Sequence, residues 1–263
     1  GTNAFTAPDS LLEVLTNGGG TLEVLTVGNI YIPVPATYTT FTGTRNYSFS
    51  IVGELTKTDV DQAIAIVGTI TSVQFGTTVT SIGNNSDTTG TSPFYNQINI
   101  VSMSFKDTST CITFGQNVFN SCTSLSSFVI PNSVTSIAGS AFTSCTGLVS
   151  FVIGNSVTSI SFFAFISCTS LASVVIGNSL ASIATSTFGS CTSLALLTIG
   201  TSVTSIGANA FNLSPLTRVE FTQGNDRNVN IDASAFIAPA SLVSAVTSGG
   251  GNIAVLITGN IYT

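Results

Sequence analysis

The stretch Ser121–Leu148, SCTSLSSFVIPNSVTSIAGSAFTSCTGL, returns at Ser167–Leu194 as SCTSLASVVIGNSLASIATSTFGSCTSL. The same register holds over about a hundred residues. Cys122, Cys145, Cys168 and Cys191 stand 23 residues apart, and so do Phe119, Phe142, Phe165, Phe188 and Phe211. Phe114, Ile137, Ile160, Ile183 and Ile206 form a third series, and Leu125, Leu148, Leu171 and Leu194 a fourth. A fixed period of this length is the signature of a repeat architecture in which each unit stacks only on its neighbours.

Within one unit the apolar positions are Leu125, Phe128, Ile130, Val134, Ile137, Phe142 and Cys145. FVI at 128–130 alternates with period two, which predicts a short strand with Phe128 and Ile130 facing inward. PN at 131–132, matched by GN at 154–155 and 177–178, supplies a turn in which Gly and Asn are expected to accept positive φ. SVTSI then predicts a second extended piece with Val134 and Ile137 inward, and AFTSC closes the coil. One such coil cannot bury its apolar side alone. Stacking the coils about 4.8 Å apart, each residue over its counterpart, gives a solenoid.

The pattern from Leu148 to Leu171, LVSFVIGNSVTSISFFAFISCTSL, closely resembles the BspA-like class of leucine-rich repeats. The resemblance is tight over roughly Phe114 to Leu242 and extends weakly upstream to FGTTVTSIG at Phe75–Gly83. It implies a β-rich leucine-rich-repeat solenoid of 23-residue coils, about five or six of them well formed, with atypical β-rich flanking segments. It also implies an extracellular or cell- or virion-surface protein, since members are surface or secreted proteins and several are adhesins.

Composition agrees with an unreactive stack. Of 263 residues 43% are hydrophobic and only 6% charged, and between Asp107 and Arg218 there is no Asp, Glu, Lys or Arg. A charge repeated in every coil would stack like on like, whereas Ser and Thr hydrogen-bond along the ladder. The net charge of −6 leaves no basic footprint for nucleic acid. Polar residues interrupt every apolar run, so no membrane insertion is expected.

The two ends match each other. Ala4–Tyr31 aligns without gaps to Ala235–Tyr262 at an offset of 231, with 16 of 28 positions identical. Both copies carry Pro in place of the Cys (Pro8, Pro239) and run through a triple glycine. Residues 1–43 are therefore read as a tail-like segment plus linker, and 44–105 as atypical N-terminal coils or cap with an insertion. Residues 106–234 form the repeat array, and 235–263 the segment that repeats 4–32. The match favours one unit of a tandem array or a head-to-tail polymer over plain paired caps. Its contact ends would be Gly18, Gly19, Gly20 and Tyr31 at one side and Gly249, Gly250, Gly251 and Tyr262 at the other. Upstream, Thr58 and Asp61 have the spacing of a capping box, followed by strand-like IAIVGTITSVQF. The polar insertion Asn84–Asn99 is a loop where binding is expected.

Little chemistry is available. The chain has no His to act as base for a Ser or Cys nucleophile. The acids lie outside the coils; Asp59 and Asp61 read as a helix first turn, and Asp226 and Asp232 flank a solvated loop rather than a calcium site. The five thiols are read as buried and free, small hydrophobes in the core. No metal or other cofactor is expected, and no catalytic residue is assigned. NYS at Asn46, NNS at Asn84 and NLS at Asn212 are glycan acceptor motifs.

The expected role is a non-enzymatic extracellular structural or adhesive module, self-associating head to tail. The alternative is an adhesin that binds a host surface protein or glycan on its concave strand face, through the outward residues Val129, Val152, Val175 and Thr198. A minor third reading is ice binding on the ladders Ser133, Ser156, Ser179, Ser202 and Thr135, Thr158, Thr204, which Ala181 interrupts.

Overall fold

The computed structural model describes residues 22–24, 46–49, 51–222, 229–232, 234–236, 244–247, 255–257 and 260–262. The chain winds into a parallel β-solenoid of about seven turns, about 24 residues each, the atypical flanking coils included. Every coil contributes two short strands. The first strands, among them Ser150–Ile153, Ser173–Ile176 and Leu196–Ile199, build one parallel ladder. The second strands, among them Ser136–Ile137 and Ser205–Ile206, build another.

Register follows the period found in the sequence: Ser150 pairs with Ser173 and Val175 with Thr198. The ladders also take in Asn46–Phe49, Ser72–Phe75, Val79–Ile82 and Ser102–Phe105, so stacking begins well upstream of the most regular coils. Leu22–Val24 adds to the first ladder at one end and Ser244–Thr247 at the other. Each ladder is interrupted once. The first breaks between Ser127–Phe128 and Ser150–Ile153, the second between Ser159–Ile160 and Ser182–Ile183.

A third side of the coil has no strand but is as regular. Its backbone N–H groups donate forward to the next coil: Phe119 to Ala141 O (2.8 Å), Phe142 to Ala164 O (2.7 Å), Phe165 to Thr187 O (2.9 Å), Phe188 to Ala210 O (2.8 Å). The peptides involved all point N–H toward the C-terminal end and C=O toward the N-terminal end, so their dipoles add along the stack, as in a helix. This geometry needs positive φ at two positions per coil. They recur every 23 residues as Asn117, Ser140, Phe163, Ser186, Asn209 and as Ser121, Ser144, Ser167, Ser190, Leu213.

The core is a column of rings. Phe94, Phe119, Phe142, Phe165, Phe188, Phe211 and Phe236 stack with centroids 4.9–5.7 Å apart. Leu125, Leu148, Leu171 and Leu194 are fully buried beside them.

Several local expectations are corrected. The turn glycines Gly154, Gly177 and Gly200 do not take positive φ. They serve close approach: a Cβ on Gly200 would lie 2.0 Å from Gly177 O, and one on Gly177 2.7 Å from Gly154 O. The adjoining asparagines form an amide ladder, with Asn178 N donating to Asn155 Oδ1 (2.9 Å) and Thr201 N to Asn178 Oδ1 (3.0 Å). Gly200→Ala is therefore expected to cost about 1–3 kcal/mol through overpacking against backbone. Gly154→Ala, with nothing within 4 Å of its Cβ, should stay within about 0.5 kcal/mol. Urea denaturation of the two variants measures the contrast.

The helix spans Lys57–Val67, and its capping box is Thr56 with Asp59, not Thr58 with Asp61. Asp59 Oδ2 accepts from Thr56 N at 2.8 Å, while Asp61 pairs with Lys57 at 2.6 Å, one turn away. IAIV belongs to this helix, and the strand in that stretch is only Ser72–Phe75. The polar insertion is no plain loop either. Ser92, Pro93 and Phe94 are buried, and Phe94 begins the ring column.

Candidate functional site

The interior shows what the thiols do. Cys122 Sγ donates to Phe94 O (3.1 Å), Cys145 to Phe119 O (3.0 Å), Cys168 to Phe142 O (3.1 Å) and Cys191 to Phe165 O (3.2 Å). One coil further on, Ser214 takes the same place and donates to Phe188 O at 3.0 Å. The ladder thus satisfies a core carbonyl in each coil with a small donor. All five cysteines are free and buried, as read from the sequence. Burial pushes the Cys111 and Cys122 thiols up to about 12 and the Cys145 and Cys168 thiols well above their ordinary value. Low-pKa, accessible thiols react; these have neither property.

Among the described residues Glu54 and Asp87 meet at Asn84, which donates to Asp87 Oδ2 (2.9 Å) and Glu54 Oε1 (3.0 Å), and Asp87, partly buried beside Glu54, has its carboxyl held above the usual range. Asp59 caps its helix, and Asp232 Oδ1 accepts from Ser234 N (2.9 Å) and Ser234 Oγ (2.6 Å), a turn that holds its carboxyl below the usual range. Asp226 lies outside the described residues. Among the described residues no three His, Cys, Asp or Glu side chains gather as metal ligands. No helix among them is long and apolar enough to cross a membrane. Asn84 is engaged locally, its Nδ2 donating to Glu54 Oε1 (3.0 Å) and its Oδ1 accepting from Ser86 N (2.9 Å). Asn46 accepts from the Ser72 hydroxyl. Asn212 is half-buried, its carbonyl accepting from Ser190 N at 2.6 Å.

The outward face of the first ladder is the candidate contact surface. Val129, Val152 and Val175 are 68%, 61% and 40% exposed, and Val152, Val175 and Thr198 sit side by side in register. Parallel strands alternate their side chains, so each exposed Val is flanked by buried residues such as Phe151 and Ile153. Sequence reasoning missed Val101, Val149 and Leu196, all about half exposed on or beside the same strands. The available signal was a large apolar residue where other coils carry Ser or Ala. Arg218 and Glu220, 3.4 Å apart, end the apolar face on the C-terminal side.

The threonines of the polar ladders reach backbone of the preceding coil, yet Thr158 and Thr204 stay exposed, as do Ser179 and Ser202. Thr135, Thr158 and Thr204 donate to Ile112 O, Thr135 O and Ala181 O at 3.4, 3.2 and 3.3 Å. Of the proposed polymer ends, Gly18, Gly19, Gly20, Tyr31, Gly249, Gly250 and Gly251 lie outside the described residues. Tyr262 falls in the last strand, Asn260–Tyr262, antiparallel to Val255–Ile257.

No curated protein matches the chain. Among solved structures it is similar to a leucine-rich repeat protein of T. pallidum, with 22% identity and a TM-score of 0.40 over 54% of this chain and 74% of that one. A leucine-rich cell surface protein from Faecalibacterium prausnitzii A2-165 shares 17% identity at a TM-score of 0.35, over 80% of this chain and 89% of that one. A leucine-rich repeat protein from Bacteroides ovatus ATCC 8483 shares 17% at 0.47, over 78% and 65%. The family described as BspA type Leucine rich repeat region matches in six copies, at residues 36–124, 67–148 and 112–243. That span covers well over half of the chain, and the stacked coils carry its period: the chain belongs to the BspA-type leucine-rich-repeat family.

Proposed function

We propose that this chain is a non-enzymatic structural or adhesive module of the extracellular or cell or virion surface, one link in a head-to-tail fibre or tandem array. The observation that carries the proposal is the polarity of the stack. Along the strandless side, the main-chain hydrogen bonds from Phe119, Phe142, Phe165, Phe188 and Phe211 all run in one direction, from N–H to the C=O of the following coil. A stack of this kind ends on carbonyls at one side and on N–H groups at the other. Copies that meet end to end satisfy both only when they meet head to tail. The 231-residue offset between the two matching terminal segments favours the same arrangement. Sedimentation velocity and negative-stain electron microscopy of the purified chain test it. Linear particles that lengthen with concentration, without added ligand, are the expected result. A monomer at every concentration contradicts it.

The exposed face of Val129, Val152 and Val175 favours a second reading, recognition of a surface protein. Val152→Ser with Val175→Ser, both exposed and hence mild for stability, should then abolish capture of that protein while leaving particle length unchanged.

A further inference from the structure

We propose that Phe162 and Phe163 form a binding platform for a neutral saccharide, on a different side of the solenoid from the valine face. Their positions belong to the strandless turn. The equivalent pairs in neighbouring coils are Gln116–Asn117, Gly139–Ser140, Thr185–Ser186 and Ala208–Asn209. Only this coil places two aromatic residues there, and both are exposed, at 51% and 39%.

The backbone makes the substitution costly. Phe163 holds φ +59, a position occupied in the other coils by Asn or Ser. A bulky residue in the left-handed region is a true outlier, and such strain gathers at functional sites. The second ladder is interrupted at the same step, between Ser159–Ile160 and Ser182–Ile183. The rings lie outside the buried core, with the Phe162 ring passing over Gly139 of the preceding coil. They touch each other, with centroids 5.6 Å apart and planes at 86°, and do not join the ring column.

Size and charge select the ligand. The aromatic patch is one coil deep, about 5 Å along the axis. Gly139, Ser140 and Thr143 adjoin it on one side and Thr185 on the other. A protein interface needs about 800 Å² per partner around its anchors, far more than two rings framed by small residues. A sugar ring matches: its C–H face packs on an aromatic face, and its hydroxyls pair with groups that both donate and accept. No charged side chain lies between Asp107 and Arg218, so an acidic glycan gains no ion pair here.

The test is binding of the full chain to a printed array of neutral and acidic glycans, followed by calorimetry with the best neutral oligosaccharide. F162T/F163S, which gives this coil the Thr185–Ser186 pair of the next, should lose at least tenfold in affinity. Val52→Ser, exposed in a coil well upstream of both surfaces, should bind as the parent does. Phe163→Asn relieves the strained φ, so it should weaken binding while raising Tm by about 2–4 °C. A fall in Tm for Phe163→Asn would show the ring to be structural and overturn the proposal. So would binding confined to acidic glycans, no glycan binding, or equal affinity in F162T/F163S. Self-association lost in F162T/F163S without glycan binding would assign the rings to a contact between copies, and also overturns it.

Discussion

Raising the pH above about 9 is expected to unfold this protein steeply, by about 5 kcal/mol per pH unit. Four thiols carry the effect: Cys111, Cys122, Cys145 and Cys168, all held protonated by burial. In the unfolded chain each loses its proton near its ordinary pKa of about 8.5. In the folded coil Cys111 and Cys122 keep it until about pH 12, and burial holds Cys145 and Cys168 well above their ordinary value. Unfolding thus releases protons, and the stability these groups supply is complete below pH 8.5 and is lost as pH rises. Domain stabilities are commonly about 5–15 kcal/mol, so one to three pH units exhaust them. Tyr47, pushed up to about 12 by burial and then by the charge of Asp59, adds to the slope above pH 10. Urea midpoints by circular dichroism at pH 7.5, 9 and 10 measure it. Cys145→Ser, the exchange already present at Ser214, should remove about a quarter of the slope. A midpoint constant through pH 10 would mean that the thiols are not buried as described.

Phe142→Ala is expected to cost about 3–5 kcal/mol, at the upper end for a core truncation. Phe142 is fully buried, and its ring meets those of Phe119 (4.9 Å), Phe165 (5.0 Å), Phe128 (5.1 Å) and Phe151 (5.1 Å). Because each coil touches only its neighbours, a cavity here weakens the coupling between the upstream and downstream halves. The single unfolding transition of the parent should separate into two, visible in urea titrations and in amide exchange. A loss under 1 kcal/mol with one sharp transition would contradict the stacked column.

Ladder residues were legible in the sequence because stacking forces like onto like. Cys, Phe, Ile and Leu had to recur every 23 positions if each was to meet its counterpart. What stayed hidden depends on contacts that spacing does not encode. TKTDVD contains two overlapping Thr-x-x-Asp pairs, and only the fold selects Thr56 with Asp59 as the cap. Phe94 sits in a polar stretch at 25 residues from Phe119 rather than 23, so the period passes over it, yet it fills the first place in the column. The turn glycines were assigned to conformation, whereas Gly200 is required by the carbonyl of Gly177 above it. On the surface, Val152 and Val175 followed from strand alternation. Phe162 and Phe163 did not, because they break the pattern that made the rest readable.

Uncharged coils follow from the same geometry. Ser and Thr side chains reach the carbonyls of the coil before, as Thr158 does at 3.2 Å, and leave a surface that sheds water at little cost. That property suits a module whose faces and ends meet other surfaces.

The most direct measurement is long-wavelength anomalous scattering from a crystal of the chain, which locates sulfur without reference to any fold. Four peaks in a row, about 4.8 Å apart, for Cys122, Cys145, Cys168 and Cys191 are the predicted result. Sulfur positions scattered through the molecule, or joined in disulfide pairs, would contradict the stacked coil.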